Sequence, residues 1–169
     1  EYGEVREDGN CWNKVSNKKI AACLPMHTFG IPVELDAIKQ ICDQYNIPLV
    51  EDAAESLGSR YKDKHTGIYG KTAAISFNGN KIITTGGGGI ILTNDEQLNR
   101  RARHITTTAK IPHNGYFFEH DEIGFNYRLP NLNAALGVAQ LEVLPAYVKD
   151  KRKLAKQYHK WGDEHGLQF

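Results

Sequence analysis

The chain has 169 residues, of which 40% are hydrophobic and 24% charged, as in an ordinary globular domain. A net charge of +1 gives no electrostatic reason to expect binding to nucleic acid or to an acidic membrane surface, and the longest apolar run, IAACL, is too short to span a bilayer. The three cysteines, Cys11, Cys23 and Cys42, show no Cys-x-x-Cys spacing. We therefore expect no disulfide framework and no metal site, and a reducing, cytoplasmic location.

The first part of the chain predicts a charged loop, then a strand, a helix and a second strand. EYGEVREDGNCWNK indicates a loop, and the apolar stretch 20–26 is typical of a buried strand. In the segment 32–45, the residues Ile38, Ile41, Cys42 and Tyr45 recur at helical spacing, which predicts a helix with one apolar face. A short apolar run, 47–52, follows and ends in two acids.

The second part of the chain continues the alternation of strands and helices. The runs 73–77 and 88–93 lack polar alternation, as buried strands do. Asn94 and Asp95 can cap a helix, a long Ala- and Leu-rich helix is predicted after Pro130, and the tail predicts a further helix. This order indicates an α/β fold with a mostly parallel sheet flanked by helices.

Ligands of such sheets bind at the carboxyl ends of the strands. Four polar residues lie at or just beyond those ends: His27, Asp52, Ser76 and Lys81. This edge of the sheet is therefore the expected position of a site. Each residue also has an ordinary structural interpretation, which the sequence leaves open.

Asp52 closes the second predicted strand, and the small Ala53 and Ala54 follow it. It is either a cap for the next turn or a buried carboxylate with a charged partner. A buried carboxylate needs a positively charged partner, because an unpaired one costs several kcal/mol. The two alanines leave room beside it for a flat ligand whose protonated ring nitrogen would be that partner.

Lys81 follows the turn Asn78–Asn80 between two apolar segments. Most such lysines are simply exposed in a loop. A lysine that bonds to a carbonyl carbon must however be partly desolvated, since only the neutral amine reacts. Placement in a tight turn beside a buried strand meets this need.

Three further features are weaker on their own. Ser76, at a strand end before a turn, suits a phosphate but is a common residue there. His27 is as easily a structural histidine as a site residue. The glycines 86–89 lack the spacing of a nucleotide-binding loop and predict a flexible turn near a ligand or partner.

A polar group, Asn126, Tyr127 and Arg128, stands before the helix that follows Pro130. Its structural interpretation is a loop that leads into a helix. The Ala and Gly residues of that helix suit close packing against a neighbouring element.

Together these motifs resemble those of a known family. EDAAES, SFNGNK, TTGGGG and GFNYRLPNLNAALG occur in order and with compatible spacing across residues 20–147. They resemble the pyridoxal-phosphate-dependent nucleotide-sugar aminotransferases of the DegT/StrS family. The resemblance implies the aspartate aminotransferase-like fold, fold type I. Residues 1–147 would be part of the cofactor-binding large domain, and 148–169 a helix leading towards a small C-terminal domain outside this sequence. On this basis we expect a truncated large domain.

The resemblance also implies roles for the cofactor-binding residues. Lys81 would bind the cofactor covalently and shuttle the proton of the reaction. Asp52 would pair with the ring nitrogen, Ala54 would pack on the ring face, and Ser76 would bind the phosphate. Asn126 would reach the phosphate of the neighbouring subunit's cofactor, so that a homodimer shares its active sites.

Substrate contacts are implied for four residues: His27, Glu55, Tyr127 and Arg128. Glu55 stands where many members of the family have glutamine, near the ring hydroxyl and the sugar. The implied reaction transfers an amino group, typically from glutamate, to a nucleotide-linked keto-deoxysugar for surface polysaccharide synthesis. The family's early Gly-Thr phosphate motif and its ring-stacking aromatic are not found in this sequence, which leaves a truncated scaffold without activity as an alternative. A dehydratase of the same fold is another, but those enzymes carry histidine in place of Lys81.

Overall fold

The computed structural model describes residues 2–167. Residues 1, 168 and 169, which belong to the two predicted domain segments, lie outside this range. The described part is built from eight strands, three α-helices and a 3-10 turn at Thr28–Gly30. The strands are β1 Gly3–Val5, β2 Cys11–Asn13, β3 Lys18–Lys19, β4 Val50–Asp52, β5 Arg60–Tyr61, β6 Lys64–His65, β7 Thr72–Ser76 and β8 Gly89–Leu92. The helices are α1 Leu35–Gln44, α2 Glu96–Thr106 and α3 Asn131–Glu164.

The start of the chain is not the charged loop that we predicted. Strands β1, β2 and β3 form an antiparallel sheet in that order. Gly9, at φ +72°, makes the first turn, and Cys11 is the residue of β2 that is buried. Because the strands are very short and their other side chains remain partly or fully exposed, the segment lacks the apolar alternation by which a strand is recognised.

The central sheet is parallel only in part, which corrects the expected mostly parallel arrangement. Its order is β4–β7–β8, with Asp52 of β4 opposite Ala74 of β7 in a parallel pair. β8 runs antiparallel to β7, with Ser76 opposite Gly89. The connection between β7 and β8 contains no helix that would return the chain to the other end of the sheet, so the antiparallel pairing follows from its path.

The strand expected at 20–26 is reduced to two isolated parallel bridges, Cys23 to Leu49 and Met26 to Asp52. Pro25 lies between them and has no backbone N–H to donate to a continuous ladder. Its carbonyl still accepts the N–H of Asp52 at 2.9 Å. The segment therefore lies beside β4 as expected, but without regular strand pairing.

Helices α1 and α2 confirm the predicted segments. In α1, Cys42 is buried with Leu35 and Leu49, and Ile38 packs against this cluster, whereas Ile41 is 54% exposed. At the start of α2, the carboxylate of Asp95 accepts the N–H groups of Gln97 and Leu98. Side-chain capping of this kind satisfies backbone donors that have no partner within the helix.

The long helix and the separate tail helix that we expected are a single helix, α3, which continues through Pro145. Proline costs a helix one backbone hydrogen bond, but it does not end this one. Leu154, Tyr158 and Trp161, which recur at helical spacing near the end of α3, are each close to half exposed.

The first turns of α3 pack closely on the glycine-rich loop, as the small residues of the helix predict. A Cβ atom on Gly137 would lie 2.8 Å from Cγ2 of Thr85. The side-chain amide of Asn133 donates to the carbonyl of Thr85, and Gln140 Oε1 accepts the N–H of Thr84 at 3.0 Å. These contacts fix the loop that follows Lys81.

Within residues 2–167, none of the helices has the length and the apolar character that crossing a membrane requires.

Candidate functional site

The lysine of the site is presented by a turn that starts at the end of β7. Ser76 Oγ accepts the N–H of Asn78 at 3.2 Å, and the N–H of Lys81 donates to the carbonyl of Asn78 at 3.1 Å. Ile83, two residues later, is 1% exposed and anchors the segment in the core. The side chain of Lys81 is consequently held at the sheet edge and is only 17% exposed.

Glu55 holds the amine of Lys81. Its Oε1 lies 3.2 Å from Lys81 Nζ, and its Oε2 accepts the N–H of Phe29 at 2.8 Å. The hydrogen bond from Phe29, followed by that from Lys81, lowers the pKa of the Glu55 carboxyl below its ordinary value. Glu55 is therefore an ionised partner of Lys81 at neutral pH.

Four of the predicted residues line a single cavity of about 210 Å³: Ala54, Glu55, Ser76 and Lys81, together with Phe29, Leu57, Asn80 and Ile82. Segments that are far apart in the sequence thus meet at the carboxyl ends of β4 and β7. The cavity offers a primary amine, a hydroxyl beside a turn and the small surface of an alanine.

Asp52 is adjacent to this cavity in sequence but is not among the residues that line it. Its side chain accepts the N–H of Ala54 at 3.1 Å, which is the capping role that the sequence left open. Its pairing with a ring nitrogen stays a prediction.

His27 was interpreted either as a structural histidine or as a site residue, and in the structure its contacts are structural. It is 0% exposed, its Nε2 lies 3.0 Å from Glu51 Oε2, and its Nδ1 accepts the N–H of Val33 at 3.3 Å. Both ring nitrogens are therefore engaged inside the protein. The predicted substrate contact of His27 stays a prediction.

Glu51 is the residue that the sequence analysis missed. It is 0% exposed, and it accepts hydrogen bonds from the backbone N–H groups of Gly67, Tyr69 and Gly70. The signal was available, because two consecutive acids in a strand face opposite sides and one of them had to be inside. The donors come from a distant loop, however, and no local pattern identifies them.

Asn126, Tyr127 and Arg128 lie apart from the lysine cavity. Arg128 donates to Asn126 Oδ1 at 2.9 Å and to the carbonyl of Thr107 at 3.0 Å. Tyr127 and Arg128 line a second cavity of about 660 Å³, beside β8 and α2. The chain therefore does not bring these residues to Lys81 by itself.

Most of the chain matches the model of a known protein family. The model of the DegT/DnrJ/EryC1/StrS aminotransferase family matches residues 12–162. The chain belongs to this family. The fold type I architecture that the motifs implied is that of its solved members, and aminotransferases of the family depend on pyridoxal phosphate.

Individual relatives agree with this assignment. EpsN of Bacillus subtilis (strain 168), provisionally named a pyridoxal phosphate-dependent aminotransferase, is 43% identical over 81% of this chain and 35% of its own length. GDP-perosamine synthase of Escherichia coli O157:H7 is 40% identical over 87% of this chain and 40% of its own length. The aminotransferase PseC of Helicobacter pylori, involved in pseudoaminic acid biosynthesis, superimposes with a TM-score of 0.81 at 27% identity, over 84% of this chain and 38% of that one.

The chain spans less than half the length of the curated relatives that it matches. Its cavity fits part of pyridoxal phosphate. The Lys81 amine suits the carbonyl, the Ser76 hydroxyl suits the phosphate, and Ala54 suits a flat ring face. The groups that would complete the enclosure are not among the residues that line this cavity.

Proposed function

We propose that this chain is the cofactor-binding part of an aminotransferase that moves an amino group from glutamate to a nucleotide-linked keto-deoxysugar. One observation carries the proposal. In a member of this family, the Lys81 amine, the Ser76 hydroxyl and Ala54 open into one cavity at the carboxyl ends of β4 and β7. The name of the relative GDP-perosamine synthase supports a nucleotide-linked sugar as the acceptor.

Bound pyridoxal phosphate supplies an electron sink for bond breaking at the carbon next to the transferred nitrogen. In our proposal Lys81 bonds to the cofactor and later moves the proton, and Asp52 keeps the ring nitrogen protonated. Ala54 contacts the ring face and Ser76 binds the phosphate. Asn126 binds the phosphate of the partner subunit's cofactor.

Glu55 changes partners in this scheme. In the structure its carboxylate is paired with Lys81 at 3.2 Å. Lys81 would hold the cofactor through its nitrogen, and the Glu55 carboxylate would then be available to the ring hydroxyl and the sugar. Tyr127 and Arg128 supply further sugar contacts from a neighbouring subunit.

The test is amino transfer by the full-length protein, with glutamate as donor and a panel of GDP- and UDP-4-keto-6-deoxy sugars as acceptors. We expect one acceptor to gain an amino group. Lys81→Ala should lower the rate by several orders of magnitude, because both the covalent link and the proton shuttle are lost. Lys64→Ala, which removes an exposed lysine of β6, is the matched control and should leave the rate unchanged.

The alternatives give different results in the same assay. A dehydratase would release water from the sugar without incorporating nitrogen. An inactive scaffold would bind no cofactor, and its visible absorbance would not change when pyridoxal phosphate is added. Either result would contradict the proposal.

We further propose a cytoplasmic homodimer that acts in surface polysaccharide synthesis. The cytoplasmic location follows from the proposed substrates, since nucleotide-linked sugars are cytoplasmic precursors of such polymers in this interpretation. The separation of Asn126 from the lysine cavity supports a site that a second subunit completes.

A further inference from the structure

A buried acid–histidine pair lies behind the site. Glu51 and His27 are both 0% exposed. One oxygen of Glu51 accepts from His27 Nε2 at 3.0 Å and from Gly67 N at 2.7 Å. The other accepts from Tyr69 N at 2.7 Å and from Gly70 N at 2.6 Å. Four donors therefore occupy the acceptor positions of the carboxylate.

The orientation of the His27 ring is fixed by this pair. Its Nδ1 accepts the N–H of Val33 at 3.3 Å, so the ring proton is on Nε2 and is donated to Glu51. The backbone N–H of His27 donates to the carbonyl of Asp52 at 3.0 Å. Side chain and backbone together therefore attach His27 to the end of β4.

The turn Thr28–Gly30 starts at this anchored histidine. Gly30 donates its N–H to the carbonyl of His27 at 3.1 Å, and Phe29 has φ +53° and ψ +24°. This left-handed conformation is unfavourable for a bulky residue and persists only where the surroundings impose it. Gly30, at φ +81°, lies so close to the next segment that a Cβ atom would be 3.0 Å from the carbonyl oxygen of Glu55.

The strained turn carries the next hydrogen bond. The N–H of Phe29 donates to Glu55 Oε2 at 2.8 Å, and Glu55 Oε1 lies 3.2 Å from Lys81 Nζ. A continuous series of contacts thus connects the buried pair to the reactive amine.

We propose that Glu51 is a positioning residue, which acts through His27 and the Thr28–Gly30 turn to hold Glu55 against the amine of Lys81. The inference rests on the proposed function, in which Lys81 bonds to the cofactor. The partners of Glu51 are all hydrogen-bond donors. In a Glu51→Gln variant the amide N–H groups would therefore face other N–H groups and could not hydrogen-bond to them. His27 would then lose its orientation, and Phe29 its hydrogen bond to Glu55.

The test is the pKa of the Glu55 carboxyl, measured by carbon NMR in the full-length protein without cofactor. The wild-type pKa is held below the ordinary value of 4.5, first by the N–H of Phe29 and then by Lys81. In Glu51→Gln we expect it to rise towards 4.5. Cys42→Ala removes a buried sulfur from α1 and touches none of these contacts, so it should leave the Glu55 pKa unchanged even though it destabilises the fold.

Two additions keep the test decisive. If Glu51→Gln does not fold, His27→Gln removes the ring that anchors the turn and should shift the pKa in the same direction. Borohydride trapping of pyridoxal phosphate on Lys81, followed by mass spectrometry, is the second readout, and it should label Lys81 both in the wild type and in the folded variant.

The two readouts separate the two hypotheses. Failure of wild-type Lys81 to be labelled would contradict the proposed function and leave the Glu55 titration as the measure of positioning. A Glu55 pKa that stays at its wild-type value in the folded variants would overturn the positioning role, even if labelling is efficient.

Discussion

The contacts of the Glu55 carboxylate with Phe29 and Lys81 contribute to the stability of the folded chain in a pH-dependent way. Its pKa is lowered in the folded chain by the N–H of Phe29 and by Lys81, and its ordinary value is 4.5. A group whose pKa is lowered by folding stabilises the protein above its unfolded pKa, and this contribution is lost as the pH falls through the folded pKa. The contribution of Glu55 is therefore complete at neutral pH and is lost in acid.

We predict that Glu55→Gln lowers the free energy of unfolding at pH 7, and that the difference from wild type shrinks as the pH is lowered from 4.5 through the folded pKa. Urea unfolding at a series of pH values measures this. Glu7→Gln, in the exposed turn between β1 and β2, is the control. A difference that did not change with pH would show that the amide, and not the lost charge, causes the effect.

At the scale of elements, Gly137 allows α3 to lie close to Thr85. The Cβ contact of 2.8 Å at Gly137 is with Thr85, a residue that is 1% exposed and has little freedom to move. The Ala- and Gly-rich pattern of the helix correctly predicted close packing, but the partner of the helix became known only from the fold.

We predict that Gly137→Val destabilises the protein by about 1–3 kcal/mol through overpacking, which exceeds the few tenths of a kcal/mol that valine gains over glycine in helix propensity. Ala139→Val introduces the same side chain on the exposed side of α3 and should cost less than 1 kcal/mol. Thermal unfolding of the two variants provides the comparison. Equal losses would contradict the packing argument.

At the scale of the whole molecule, the residues implied in the cofactor site lie in two places. Ser76 and Lys81 line one cavity, whereas Tyr127 and Arg128, which follow Asn126 directly, line another. A two-fold dimer brings different parts of one sequence together across its interface, and this is how we propose that the site is completed.

Subunit complementation tests the shared site. We predict that Lys81→Ala and Asn126→Ala are each severely impaired as full-length homodimers, and that an equal mixture after subunit exchange recovers about a quarter of wild-type activity. Half of the dimers would then be mixed, and each mixed dimer has one site with both residues intact. No recovery in a mixture shown by mass spectrometry to have exchanged would place Lys81 and Asn126 in the same subunit's site.

The sequence by itself determined the family, the helices α1 and α2, the strands that carry Asp52 and Ser76, and the turn that presents Lys81. These depend on local periodicity, caps and motifs, which are properties of neighbouring residues. It did not show the antiparallel β8, the continuous α3, the sheet β1–β3, or the burial of Glu51 and His27. Those features depend on contacts between segments far apart in the chain, such as the backbone donors of 67–70 that reach Glu51, and only folding brings these partners together.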